Sequence, residues 1–171
     1  MAVFTGAKPS SVTQRGKTEP FEVQISRQDI AFHNQFELYG FTNSLGTANA
    51  TPIWEGTTNT SSLYVPPASA ATMTIASTSA NDTPAGTGAG AIQINGLDAN
   101  FNMQSEIVVL NGTTGVTTAN KYLRINSMSV STAGTSNTTG LNAGNISAKV
   151  STTLYAQINA GIGQTQMSIF T

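Results

Sequence analysis

The sequence lacks cysteine altogether and contains few charged residues. With no cysteine among its 171 residues, the chain can form neither a disulfide framework nor a thiolate metal site. Charged residues make up only 9% of the chain, whereas ordinary globular domains carry about a quarter. The net charge is −1, so no global field attracts nucleic acid or an anionic membrane. We therefore expect neither as a partner.

Long apolar runs are missing as well. No stretch approaches the roughly 18 consecutive apolar residues of a membrane-spanning helix. The first four residues, Met1 to Phe4, are not followed by an apolar segment, so we expect no signal peptide. Several Asn-x-Ser/Thr triplets occur, but in a chain so rich in these residues they are expected by chance. We interpret none of them as a glycosylation site.

Small polar residues take the place of charge. Thr, Ser, Asn and Gly together form about two-fifths of the chain, while hydrophobic residues still form 39%. Disordered segments usually combine high charge with few β-branched residues, which is the opposite of this composition. We interpret it as that of an all-β protein with many turns and threonine-covered sheets. Its length is sufficient for one domain with a substantial core.

Polar and apolar residues alternate from 98 to 109. The polar set is Asp98, Asn100, Asn102, Gln104 and Glu106, and the interleaved set is Ala99, Phe101, Met103, Ser105, Ile107 and Val109. A period of two places the sets on opposite faces of a β-strand. The flanking pairs Asn95-Gly96 and Asn111-Gly112 predict tight hairpin turns. The sequence thus predicts a three-strand meander from 91 to 130, with a β-bulge near Asn126 where the apolar phase slips.

Further extended segments are predicted on both sides of this meander, at 21–25, 35–41, 71–76, 145–150, 153–158 and 166–170. The small-residue loop at 77–90 opens a strand, and we predict that the loop at 131–144 is flexible. Together these segments predict an antiparallel β-sandwich of jelly-roll type with roughly 8–10 strands. It would form one domain over 19–171, with continuation beyond Thr171 as an open alternative.

Residues 1–18 form an irregular N-terminal extension. They include Lys8, Arg15 and Lys17 and no acidic residue. One interpretation is a mobile, solvated arm. The other is an arm that becomes ordered only on a neighbouring subunit, where its cations meet acidic groups. Three cations without interleaved aromatic residues are a weak signal for nucleic-acid binding.

The sequence contains no recognisable catalytic motif. His33 is the only histidine, and neither a nucleophile nor an orienting acid can be identified for it. Gly86, Gly88 and Gly90 lack the following helix and the Lys-Ser/Thr of a nucleotide-binding loop. No Gly-x-Ser-x-Gly elbow occurs. We predict a non-enzymatic protein with no catalytic residues, no cofactor and no metal site.

Two motifs have both a functional and a structural interpretation. The acid–amide set that begins at Asp98 resembles the opening ligands of a calcium loop. Such a loop needs Gly where Met103 stands and Glu where Val109 stands, so we favour a polar strand face. Trp54, the only tryptophan, is expected to be an apolar anchor. The alternative is a sugar-stacking platform together with Tyr64.

Three blocks between 77 and 147 form an ordered pattern. They read STSANDTPAGTGAGAIQINGLDANFNMQSEIVVLNGTTGVTT, NKYLRINSMSV and NAGNIS. This pattern resembles a family of structural proteins of tailed bacteriophages, over a region from about Asn34 to the C-terminus. The resemblance implies a virion protein, chiefly a capsid decoration (cement) protein. It also implies the capsid surface as location after synthesis in the host cytoplasm, with the major capsid protein and further copies of the chain, most simply a homotrimer, as partners.

The function expected from this resemblance is multivalent clamping of the outer capsid surface. The candidate capsid contacts are Lys8, Arg15, Lys17 and Arg27. The alternative is a tail or head-fibre appendage that binds a host receptor through the loops at 77–90 and 131–144. Aromatic side chains at the loop tips would favour that alternative, and the sequence has none there.

Overall fold

The computed structural model of the chain describes residues 23–24, 37–41 and 66–170. Within these residues lie nine strands: β1 (Glu37–Gly40), β2 (Ala71–Ser77), β3 (Ala89–Leu97), β4 (Met103–Val109), β5 (Val116–Tyr122), β6 (Arg124–Ala133), β7 (Ile146–Val150), β8 (Thr153–Ile158) and β9 (Met167–Phe170). The chain divides into a large unit, Leu38–Ile169, and a small unit, Met1–Glu37 with Phe170–Thr171. Strands β2 to β8 all belong to the large unit.

Strands β2 to β8 form two antiparallel sheets. The first has the strand order β5-β2-β7-β8 and the second the order β4-β3-β6. The central strand β2 pairs antiparallel with β5 and β7, and β3 pairs antiparallel with β4 and β6. A separate two-stranded sheet joins β1 and β9. The predicted all-β antiparallel class is confirmed, and jelly-roll connectivity stays a prediction.

Both sheets contribute to one apolar core. From the four-stranded sheet, Met73 and Ile75 of β2 are fully buried, and from the three-stranded sheet so are Ile92 and Ile94 of β3. The alternation predicted for 71–76 therefore points one face of β2 inward. Each fully buried side chain of this size stabilises the fold by about 1.5–3 kcal/mol. The arrangement is a β-sandwich.

The pair Asn95-Gly96 lies inside β3, so the hairpin turn predicted there is wrong. A Cβ at Gly96 would overlap the carbonyl oxygen of Arg124 and the ring of Tyr122. The glycine is therefore required by the close approach of the neighbouring backbone and ring, and not by a turn.

The β3–β4 hairpin turns instead at 98–102. Asp98 closes this turn, because its Oδ1 accepts hydrogen bonds from the backbone N–H groups of Asn100 at 2.7 Å and Asn102 at 2.9 Å. The backbone hydrogen bond from Asn102 is the main cause that holds the pKa of Asp98 below its usual range. The acid–amide motif thus begins in a turn, and the Asp98 side chain caps this turn.

The predicted three-strand meander is wrong, because β5 leaves for the other sheet between β4 and β6. The second Asn-Gly pair does form a tight turn, with Gly112 at φ 60°. This turn leads across to β5 in the other sheet, so the hairpin predicted there is also wrong. Strand β6 then returns to pair with β3 on the side opposite β4.

The bulge predicted near Asn126 is confirmed. Asn95 of β3 pairs with Ser127, and Gly96 pairs with Ile125, so that Asn126 is the extra residue of β6. The phase slip in the sequence therefore reports a real irregularity of the ladder.

Most of the remaining strand predictions are confirmed. Those at 71–76, 145–150, 153–158 and 166–170 correspond to β2, β7, β8 and β9, and the middle of 35–41 corresponds to β1. Val23 and Gln24 are helical, so the strand predicted over 21–25 is wrong at these two residues. His33, Trp54, Tyr64 and the arm at 1–18 lie outside the described residues.

We expect Tyr122 to make the stability of this core sensitive to alkali. It is fully buried, and its hydroxyl has no hydrogen-bond partner among the described residues. Burial raises the pKa of this hydroxyl far above the usual value; the Asn120 side chain partly opposes this rise, and the charge of Glu106 adds to it. Above about pH 10 the unfolded chain releases the proton while the folded chain keeps it, so the free energy of unfolding should fall by up to about 1.4 kcal/mol per pH unit.

The variant Tyr122→Phe should lack this alkaline component. At neutral pH we expect its free energy of unfolding to lie within about 1 kcal/mol of the wild type, because the lost hydroxyl makes no hydrogen bond. Urea unfolding from neutral pH to above pH 10 measures both quantities. Identical pH slopes for the two proteins would show that Tyr122 titrates equally in the folded and unfolded states.

Candidate functional site

A buried aspartate joins the loops at one end of the sandwich. Asp82, which follows β2, is fully buried. Its Oδ1 accepts hydrogen bonds from the backbone N–H groups of Ala89 at 2.7 Å and Ala143 at 2.8 Å. Its Oδ2 accepts from the N–H group of Gly144 at 2.9 Å and from the Ser77 hydroxyl at 2.5 Å. One carboxyl group thus links the end of β2 to the segments that precede β3 and β7.

The four donors explain how this carboxyl group can be buried. A buried carboxyl group is costly unless its oxygens accept hydrogen bonds. Gly88 leaves the space for this arrangement, since a Cβ there would overlap Asp82 Oδ1 and the Ala143 side chain. The small residues of the loop at 77–90 therefore allow the backbone to approach Asp82 closely.

Asn142 extends the network to the turn after β8. This side chain is buried, and its Nδ2 donates to the carbonyl oxygens of Gly144 at 2.7 Å and Asn159 at 2.8 Å. Its Oδ1 accepts from the N–H group of Gly163 at 2.9 Å. Gly161 and Gly163 both have positive φ in this turn.

Asn137 fixes the middle of the loop that follows β6. Its Nδ2 donates to the carbonyl oxygens of Gly88 and Leu141, each at 2.7 Å. The backbone N–H of Gly134 also donates to the carbonyl oxygen of Gly88, at 2.8 Å. The prediction of a flexible loop at 131–144 is therefore wrong. Its first residues continue β6, and the rest is held by hydrogen bonds to the loop at 77–90.

We call the surface formed by the loops 78–88, 111–115, 134–145 and 159–163 the loop end. The loop at 111–115 joins it because the N–H group of Gly112 donates to the carbonyl oxygen of Asp82 at 2.9 Å. Asp82 is the only charged residue in these four loops, and it is buried. The exposed surface of the loop end therefore carries hydroxyls, amides and apolar groups, among them the exposed Leu141, without charge.

The apolar face of β4 points outward, away from the core. Its large side chains are 56–73% exposed, while Val108, in the opposite phase, is 5% exposed. The alternation predicted for this strand is confirmed, and its apolar set forms the outer face. We call Met103, Ile107 and Val109, together with the exposed Phe101 of the preceding turn, the β4 strip.

The polar side chains of β4 face β5, and this explains the orientation of the strand. Gln104 Nε2 donates to the carbonyl oxygen of Lys121 at 2.6 Å. Glu106 Oε2 accepts from the N–H groups of Ala119 at 3.0 Å and Asn120 at 3.3 Å. Strand β5 is an edge strand of the other sheet. These side chains therefore satisfy its backbone groups where the two sheets meet.

The predicted capsid contacts Lys8, Arg15, Lys17 and Arg27 lie outside the described residues and stay predictions. Sequence reasoning missed Asp82, although a single acid within fourteen small residues was a usable signal. Among the residues that the structure describes, no three His, Cys, Asp or Glu side chains lie close enough to hold a metal ion. Within the same ranges, no helix is long and apolar enough to cross a membrane.

Comparisons of the chain with protein-family models, with curated proteins and with solved structures found no match. A function is therefore inferred from the molecule itself. Two of its surfaces are described above, the loop end and the β4 strip.

Proposed function

We propose that the protein is a non-enzymatic structural protein of a phage virion, which binds the outer surface of the capsid and stabilises the head. The observation that carries the proposal is the loop end, an uncharged surface whose loops are fixed by the buried Asp82. The resemblance of the three sequence blocks to phage structural proteins is the second support.

An uncharged surface of hydroxyls and amides suits contact with another protein. It binds by shape and hydrogen bonds, and no charged group loses its hydration in the contact. The hydrogen bonds made by Asp82, Asn137 and Asn142 also order the loops in advance, so binding loses less conformational entropy. The loop end is therefore the part of this fold best suited to contact a regular protein shell.

Capsid stabilisation follows if several such contacts act together. A copy that touches adjacent capsid subunits, or an oligomer with several loop ends, gains from a high effective concentration after its first contact. The arm residues Lys8, Arg15 and Lys17, and Arg27, would add contacts to acidic groups of the shell. Each contact can be modest while the assembled layer opposes outward pressure.

A charge placed on the loop end should weaken capsid binding. We expect Thr87→Asp and Thr138→Asp, both at exposed loop positions, each to reduce the affinity for heads assembled without the protein by about tenfold or more. The reason is that the new carboxylate must lose its hydration in the contact. Co-sedimentation with such heads measures the affinity.

The matched control is Thr152→Asp, which adds the same charge to the exposed β7–β8 turn at the opposite end of the sandwich. This variant should bind like the wild type. Equal binding by all three variants, at wild-type affinity, would remove the loop end from the capsid contact.

A further inference from the structure

Phe101 is held in a backbone conformation that suits it poorly, and its ring contributes little to the fold. Its φ is 63°, in the left-handed region where glycine and asparagine are usual and a bulky side chain is an outlier. The hydrogen bonds of the turn impose this conformation, since the Phe101 N–H donates to the carbonyl oxygen of Asp98 at 3.2 Å. Phe101 is nevertheless 65% exposed. A strained residue that gains so little burial is a candidate for contact with a ligand.

Beside this turn, the outer face of β3 and β4 contains a shallow depression of about 210 Å³. It is lined by Asn95, Met103, Gln104 and Ser105. Met103 follows Phe101 by two residues, so their Cα atoms are at most about 7 Å apart. Because both residues are exposed, they offer an apolar surface at the border of the depression.

The polar groups of the depression are held in place and keep capacity for further hydrogen bonds. Asn95 Oδ1 accepts from Gln93 Nε2 at 3.2 Å, and Asn95 Nδ2 donates to Ser127 Oγ at 3.3 Å. A side-chain amide has two N–H groups and an oxygen with two lone pairs. These bonds therefore orient Asn95 and leave one N–H and one lone pair for a ligand. Ser105, which pairs with Asn95 across the ladder, adds an exposed hydroxyl.

We infer that the depression and the adjoining turn at 98–102 form a binding site for a neutral saccharide. A sugar ring carries hydroxyl groups around its edge and apolar C–H groups on its faces. The hydroxyl groups fit the amide of Asn95 and the hydroxyl of Ser105, and the C–H faces fit the exposed Phe101 and Met103. The depression is smaller than the roughly 300–1,000 Å³ of a site for drug-sized ligands, so its size suits a single sugar ring.

A protein partner fits the same surface less well. Ser105 interrupts the apolar side chains of the β4 strip, and Asp98 places a carboxylate in the turn that carries Phe101. The four side chains of the strip expose on the order of 400 Å², about half of the roughly 800 Å² that one partner contributes to a standard interface. A small polar ligand needs neither a continuous apolar surface nor so large an area.

The charges around the site favour an uncharged sugar. None of the residues that line the depression is charged. An acidic sugar would meet the carboxylate of Asp98 in the adjoining turn, and two like charges repel each other. A neutral sugar instead offers its hydroxyl groups to acceptors and donors without that cost.

The site lies at the end of β3 opposite the loop end. Strand β3 begins at Ala89, whose N–H group donates to Asp82, and ends at Leu97 beside the turn at 98–102. Nine residues of strand span about 30 Å. With the loop end against a protein shell, the saccharide site would face outward, where the glycans of a cell surface are within reach.

The test is a titration of the full chain with glucose, galactose, N-acetylglucosamine and glucuronate, followed by the backbone amide signals in nitrogen–proton correlation NMR spectra. We expect at least one of the three neutral sugars to shift the signals of residues 93–95 and 101–105. The contact is small, so its Kd should be millimolar. Glucuronate should bind at least about tenfold more weakly.

The variant Phe101→Asn separates a binding role from a structural one. Because asparagine tolerates positive φ, this variant should unfold within about 3 °C of the wild type or above it, while its affinity for the sugar falls about tenfold or more. Leu141→Asn makes the same kind of change at an exposed apolar residue of the loop end and should keep the wild-type affinity. Ser105→Ala should weaken binding several-fold. Its control, Thr117→Ala, removes an exposed hydroxyl from the other sheet and should not.

Three results would overturn the inference: no shift with any neutral sugar, shifts scattered over the whole surface, or wild-type affinity in Phe101→Asn. Glucuronate as the tightest ligand would overturn the assignment of a neutral sugar. The inference does not depend on the proposed function, since Phe101→Asn should keep its affinity for heads and Thr87→Asp its affinity for the sugar. Loss of head binding in Phe101→Asn would assign the turn to the capsid instead.

Discussion

Replacement of Asp82 by alanine is expected to lower the free energy of unfolding by about 3–5 kcal/mol. The substitution leaves three backbone N–H groups, those of Ala89, Ala143 and Gly144, without their acceptor. A buried donor that loses its partner costs about 1–3 kcal/mol. Total stabilities of such domains are about 5–15 kcal/mol, so we expect one of the largest effects of any single substitution in this chain.

Urea unfolding measures this loss, and amide hydrogen exchange shows its location. The N–H groups of Ala89, Ala143 and Gly144 should lose protection, while the ladder between β7 and β8 keeps it. The control is Asp98→Ala, which removes a carboxyl group from the exposed turn at 98–102 and should have a much smaller effect. Equal losses for the two variants would contradict the role assigned to Asp82.

Replacement of Gly96 by alanine is expected to lower the free energy of unfolding by about 2–3 kcal/mol, because it overpacks a filled site. The added methyl group would overlap the carbonyl oxygen of Arg124 and the ring of Tyr122. Strand β3 is paired on both sides, so its backbone cannot move away without loss of ladder hydrogen bonds. Thermal or urea unfolding measures the effect.

The control for Gly96 is Gly140→Ala. Gly140 has no neighbour that a Cβ would meet, but its φ is 74°. Its replacement should therefore cost only the backbone preference, about 1 kcal/mol. A Gly96→Ala variant no less stable than Gly140→Ala would show that β3 can shift to admit the methyl group.

The strand alternation could be predicted from the sequence, and its orientation could not. A period of two defines the two faces of β4, but the choice of inner face depends on β5. Gln104 and Glu106 turn inward because backbone groups of Lys121, Ala119 and Asn120 stand there. Neither hydrophobicity nor spacing contains that information, because it arises from a strand of the other sheet.

The predicted meander was wrong for a related reason. Strand β5 directs Thr118 toward the core, where its hydroxyl oxygen accepts a hydrogen bond from the backbone N–H of Met73 at 2.8 Å. A polar residue at an inward position hides the apolar alternation by which a strand is recognised. The pair Asn95-Gly96 predicts a turn that the structure does not contain, because its glycine is required by the close approach of Tyr122.

The loop end was predictable only in part. Its small residues predicted turns correctly, and the glycines before β3 do open that strand. The partners of Asp82 were not predictable, because Ala143 and Gly144 lie 61 and 62 positions away in the sequence. Hydrogen bonds between residues so far apart leave no pattern in the local sequence. The local sequence therefore predicts a flexible loop at 131–144.

The measurement that tests the central claim most directly is electron cryomicroscopy of phage heads mixed with the purified protein. The account predicts density that repeats across the outer shell, with the loop end toward the capsid subunits. Density confined to a vertex, the tail or a fibre would contradict a decoration protein, and would favour the receptor-binding alternative.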